Sequence, residues 1–175
     1  MPARALHVLT GLCSSLLAGC GGDAPRGLLG AAETYEANEA VFESIRGAYP
    51  GPYRDFFRIP ARDPAEATRA QKDFIRSLRR RIPVDYIDFF PIGGDGGGDE
   101  LDVVLNRYRE GDEWRTISIV YFSAPLTLDV DRPDVRLFER CDAKAAAWLQ
   151  ESARETPYAA FCQINENWYA YQRID

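Results

Sequence analysis

The chain has 175 residues, 46% of them apolar, which is enough to bury one ordinary core and fits one domain better than two. Its 21 basic and 27 acidic residues leave a net charge of −6, a balance that argues against a general nucleic-acid binder, which has to neutralise phosphates. Collagenous, coiled-coil and multi-spanning membrane classes are excluded by the same composition.

The first twenty residues read as an export address. A short basic stretch with Arg4 precedes an apolar run from Val8 to Leu17, interrupted only by Thr10, Gly11, Ser14 and Ser15. A bilayer core needs about 20 apolar residues in a helix, so this run is too short for a permanent span and suits a cleavable signal. Leu17, Ala18, Gly19 and Cys20 come next, an order that resembles the lipobox of bacterial lipoproteins. The resemblance covers those first twenty residues alone. It implies cleavage before Cys20 and transfer of a diacylglyceryl group to its sulfur, the nucleophilic atom of the motif. It also implies two ester-linked chains and commonly a third on the new amino group; at about 0.8 kcal/mol per buried methylene, these anchor the protein stably without a span. In the sorting rule of Gram-negative lipoproteins an aspartate after the cysteine favours inner-membrane retention. Gly21 stands there, so the resemblance implies the periplasmic face of the outer membrane. The expected organisation is a signal peptide over 1–19, a lipidated cysteine and flexible tether over 20–30, and a single domain over 31–175.

Within that domain, Ala37, Val41, Ile45 and Ala48 recur at helical spacing and predict a first helix over Ala31–Ala48, ended by Gly47, Pro50, Gly51 and Pro52. A second helix is predicted from Asp63 as cap, with Pro64 at its first position, Glu66 three beyond the cap, and a stripe of Ala67, Ala70, Phe74, Ile75, Leu78 and Ile82 before Pro83. Arg79, Arg80 and Arg81 fall in its last turn, where cations complement the helix dipole. Val84–Ile92 reads as a strand. Leu101–Arg109 and Trp114–Phe122 alternate apolar with polar residues across a turn at Glu110–Glu113, the pattern of a hairpin. Ser123–Asp134 reads as irregular. Asp142–Arg154 predicts a third helix with Ala145, Trp148 and Leu149 inward, a pattern that extends back through Phe138 and Cys141. Tyr158–Ile164 and Trp168–Ile174 predict a terminal hairpin around Asn165–Asn167. The order ααβββαββ predicts an α+β fold, with an antiparallel sheet of about five strands covered by three helices on one face.

Removal of 1–19 takes away Arg4 and the single histidine, His7, leaving a mature charge of −7. Histidine triads, Cys–His pairs and histidine-ligated zinc or haem sites are then unavailable from this chain. With Cys20 lipidated, Cys141 and Cys162 remain in a compartment that permits oxidation, and they are expected to pair. Closing a loop of about 20 residues stabilises a fold by roughly 3 kcal/mol in the chain-entropy picture.

Chemistry is sparser. Gly97–Leu101 resembles the GGDEF signature of diguanylate cyclases over five residues, but the last position is leucine. A cyclase domain would fill nearly the whole mature chain on the side of the membrane that lacks nucleotide triphosphates. Asp95, Asp99, Glu100 and Asp102 offer hard oxygen ligands on a glycine-rich turn, yet a lone turn is one residue out of phase with calcium-binding repeats. Neither a metal nor a cofactor is expected, and the segment reads first as a solvated connector. Asp85–Glu113 carries nine acids against two arginines, whereas Arg62–Ile82 carries seven basic residues against three acids. A basic protein partner contacting Asp95, Asp99, Glu100 and Asp102 is therefore one expectation, with binding that weakens in salt. Trp114, Tyr121, Trp168, Tyr169 and Tyr171 could form an aromatic platform, although 168 and 169 must point to opposite faces of a strand, which favours sheet packing. The expected role is a non-catalytic binding or accessory module of the envelope, of immunity or inhibitor type by analogy. The alternative is a carboxylate-dependent cell-wall glycan hydrolase, whose two acids need no histidine.

Overall fold

The computed structural model describes residues 23–63, 65–91, 100–127, 134–151 and 157–175. Its elements run α1 (Leu28–Ala48), β1 (Phe57–Ile59), α2 (Arg69–Leu78), β2 (Tyr86–Phe90), β3 (Glu100–Glu110), β4 (Glu113–Phe122), β5 (Val135–Phe138), α3 (Ala143–Gln150), β6 (Tyr158–Gln163) and β7 (Trp168–Ile174). Among the described residues the fold is α+β with three helices, as expected. The sheet differs from the expectation: it has seven strands in the order β1-β2-β3-β4-β7-β6-β5, and β5 pairs with β6 in parallel while every other pair is antiparallel. The parallel pair follows from the chain path, because α3 lies between β5 and β6 and carries the chain back along the sheet. The two strands that composition does not reveal, β1 and β5, are three and four residues long and lie at the two edges. Phe138, drawn into the third helix by its apolar period, ends β5 instead.

The central hairpin forms as predicted. Gly111 holds a φ of 62° in the two-residue loop between Glu110 and Glu113, the left-handed conformation such a loop requires. Leu101, Val103, Ile117, Ile119, Trp168, Ala170 and Ile174 turn toward the helices and join Leu28, Val41, Phe42 and Ile45 of α1, Ile75 and Leu78 of α2 and Trp148 and Leu149 of α3 in one core. Trp168 anchors it: its ring lies 5.4 Å from Tyr35 and 5.9 Å from Phe42, and its indole N–H donates to Glu43 Oε1 at 2.7 Å.

Two helix starts move. α2 begins at Arg69 rather than near Asp63, because Thr68 and Gln71 complete a reciprocal capping box: Gln71 N–H donates to Thr68 Oγ1 at 3.2 Å, and Thr68 N–H to Gln71 Oε1 at 3.0 Å. Asp63 organises only a local turn, accepting from Ala65 N–H at 2.8 Å. The helix ends at Leu78, and Arg79 reaches forward to the Val84 and Asp85 carbonyls at 2.8 and 3.0 Å. α1 starts at Leu28, and the chain before it packs on the sheet. A register shift between Val104 and Asn106 lets Asn106 Nδ2 donate to the Pro25 carbonyl at 2.9 Å, while the Tyr108 hydroxyl donates to that of Arg26 at 3.2 Å. Residues 25–30, expected as flexible tether, are thus packed on the fold. Cys141 and Cys162 are joined at 2.05 Å, tying the entrance of α3 to β6. No helix among the described residues is long and apolar enough to cross a membrane.

Candidate functional site

With all three helices on one face of the sheet, period-two alternation sends a second set of residues to the other face. Val120, Phe122 and Tyr169 are buried there, with Leu126, Leu137, Phe161 and Tyr171 packed against them. Beside this apolar patch the central strands carry carboxyl groups. Asp88 of β2 stands directly opposite Asp102 of β3. Glu100, two residues from Asp102, lies on the same side of the strand, about 7 Å along it.

One of these acids has a full partner. Arg58 of the edge strand β1 forks onto Asp88 through Nε at 2.5 Å and a terminal nitrogen at 2.6 Å, and its guanidinium lies 3.9 Å from the centre of the Tyr86 ring. Asp88 is buried, while Arg58 keeps a quarter of its side chain exposed. The other two have no such fork. Asp102 Oδ1 is shielded from solvent without a hydrogen-bond partner, and so is Ser118 Oγ on β4, in a residue with no exposed surface. Burial pushes Asp102 up to about 8, with the Glu100 and Asp88 charges adding and the nearby Ser118 hydroxyl and Arg58 opposing. Burial, and then the Asp88 charge, pushes Glu100 up to about 7. Tyr171, opposite Ser118 in the register, is also raised, by burial first and by Asp102 second.

A cavity of about 440 Å³ opens on this face. Phe122, Phe161 and Tyr171 form apolar walls, and Glu100, Asp134 and Arg173 bring charge to its lining. The Arg173 guanidinium is committed to Asp175 Oδ1 at 2.6 Å. Among the described residues, Glu100, Asp102, Asp88 and Asp134 thus share this face with Arg58, which Asp88 occupies, and Arg173, which Asp175 engages. Among the described residues no group of three or more His, Cys, Asp or Glu side chains is arranged to hold a metal ion.

Cys20, Asp95 and Asp99 lie outside the described residues. Glu100 belongs to strand β3 rather than to a solvated connector, while Asp102 lies in that strand as predicted, with one oxygen shielded from solvent. The aromatic residues divide between the two faces: Trp168 and Tyr121 meet at 5.1 Å on the helix side, Tyr169 and Tyr171 lie on the other, and Trp114 sits half-exposed under Arg107. Sequence reasoning passed over Arg58, Asp88, Ser118, Asp134 and Arg173. A signal for two of them existed: Asp88 interrupts the apolar run Ile87–Phe90, and Ser118 stands between Ile117 and Ile119. Comparison with known protein families, with characterised proteins and with solved structures finds no match to this chain.

Proposed function

We propose that this chain is a lipid-anchored protein of the bacterial cell envelope, attached through Cys20 on the periplasmic side of the outer membrane, whose folded part is a non-catalytic binding module. The anchoring half rests on the order Leu17-Ala18-Gly19-Cys20 behind a short apolar run. The Cys141–Cys162 bridge fits an oxidising compartment. The binding half is carried by one observation: the sheet face free of helices holds a cavity walled by aromatic rings and edged by charged groups, the composition of a ligand seat. The acidic balance of Asp85–Glu113 supports a basic partner or a cationic ligand over an anionic one.

Growth with radiolabelled palmitate tests the anchor. The wild-type chain is expected to take up label and fractionate with membranes, and Cys20→Ser to lose both; a wild-type chain that stays unlabelled overturns the anchoring. A second reading has its own support. Glu100, raised to about 7, would hold a proton at neutral pH as a general acid must, and Asp134 lines the same cavity. Release of sugar fragments from purified cell wall, abolished by Glu100→Gln, would replace the binding module with a glycan hydrolase.

A further inference from the structure

The second sheet face is acidic where it is least wet. Glu100 reaches the cavity wall, Asp102 lies two residues away with one oxygen lacking any partner, and Asp88 stands opposite Asp102. Of the guanidinium groups near Glu100 among the described residues, Arg58 forks onto Asp88 and Arg173 binds Asp175 through Nε. A buried carboxyl group without a cation is costly, and it either holds its proton or finds a positive partner. The same cavity offers Phe122, Phe161 and Tyr171, rings that favour an apolar body next to a cation. Those aromatic walls favour a cation that carries an apolar body, an organic one.

We propose that the cavity binds a protonated amine carried on an apolar body, with the ammonium group against Glu100 and the body against the wall formed by Phe122, Phe161 and Tyr171. This rests on the binding-module reading and names the ligand class of that site. The same chemistry is offered by a free small amine and by a lysine side chain of a basic protein. Glu100 is faced by Asp102 on its own strand, by Asp88 of β2 with its partner Arg58, by Tyr171 and Arg173 of β7, and by Asp134 across the cavity. Its ordinary state at neutral pH is partly protonated, so an arriving ammonium displaces a proton, and affinity rises with pH through the range near 7.

Calorimetric titration of the purified full chain with benzylamine, benzyl alcohol and benzoate tests this, with Nα-acetyl-lysine methylamide as a fourth probe. Benzylamine is expected to bind at least tenfold more tightly than benzyl alcohol, with benzoate weakest. The benzylamine affinity should rise severalfold from pH 6 to pH 8 with protons released to the buffer. Glu100→Gln should erase the advantage of the amine while leaving the alcohol unchanged. Leu126→Trp, at a loop position lining the cavity, should block every probe without disturbing the sheet. Stronger binding of the lysine amide than of benzylamine points to a protein source, and the reverse order to a free amine; both support the proposal. Equal binding of all three benzyl probes, blocked by Leu126→Trp, overturns the amine while keeping the cavity as a binding site. Absence of binding, or binding indifferent to Leu126→Trp, overturns both.

Discussion

The pair Arg58–Asp88 illustrates how one side chain governs its neighbours. Asp88 is buried beside Asp102 and near Glu100, so removing the guanidinium leaves it without its partner among crowded carboxyl groups. Breaking a largely buried pair from one side costs about 3 kcal/mol or more. Arg58→Ala is expected to lower stability to urea by that amount, whereas Arg58→Ala with Asp88→Asn should recover about half of it, because no uncompensated charge remains. Glu100 and Asp102 set the pH response. Both hold protons in the folded state at pH values where the unfolded chain has released them, so the folded state binds more protons and stability falls as pH rises. The fall begins above the ordinary carboxyl range near 4 and continues to about 7 for Glu100 and about 8 for Asp102. At about 1.4 kcal/mol per proton for each pH unit, unfolding in urea should therefore show a progressive loss of several kcal/mol between pH 5 and pH 8. Glu100→Gln should flatten the lower part of that slope; a stability that rises over this interval contradicts the burial of these groups.

Elements reveal where local signals compete. The stretch 63–71 holds two plausible caps, and Thr68 prevails over Asp63 because its box satisfies two backbone groups reciprocally. Thr68→Ala should cost about 1 kcal/mol, read as a shifted urea midpoint, and Asp63→Ala distinctly less. The central strands were legible because ten or so residues of alternation leave little ambiguity: Leu101, Val103, Ile117 and Ile119 all face the helices. β1 and β5 were not. Three or four residues contain too few repeats to separate a strand from a loop or a helix end, and Phe138 satisfied a helical period by coincidence of spacing. α1 shows a related limit. The bend at Asn38, whose φ of −138° interrupts the helix while its amide donates to the Thr34 carbonyl at 3.0 Å, leaves the apolar pattern continuous enough to read as one element.

At the scale of the molecule, one sheet separates two chemistries, an apolar core under the helices and a mixed acidic and aromatic face opposite. The bridge between Cys141 and Cys162, 21 residues apart, ties the crossover helix α3 to the strand that carries β5 on its outer edge. Closing a loop of that length is worth about 3 kcal/mol. The double variant Cys141→Ala, Cys162→Ala should lower the urea midpoint accordingly. In hydrogen exchange it should lose protection first in β5, α3 and β6, while the β3–β4 hairpin stays protected. By itself the sequence determined the three helices, five of the seven strands and the partnership of the two cysteines, because each depends on the spacing of residues along the chain or on elimination among a few thiols. Only the tertiary structure decided that Arg58, Asp88, Asp102, Ser118 and Tyr171 share one face and that Asp88 and one oxygen of Asp102 are shielded from water. Burial and charge balance at a point arise from strands far apart in sequence, and no local pattern encodes them.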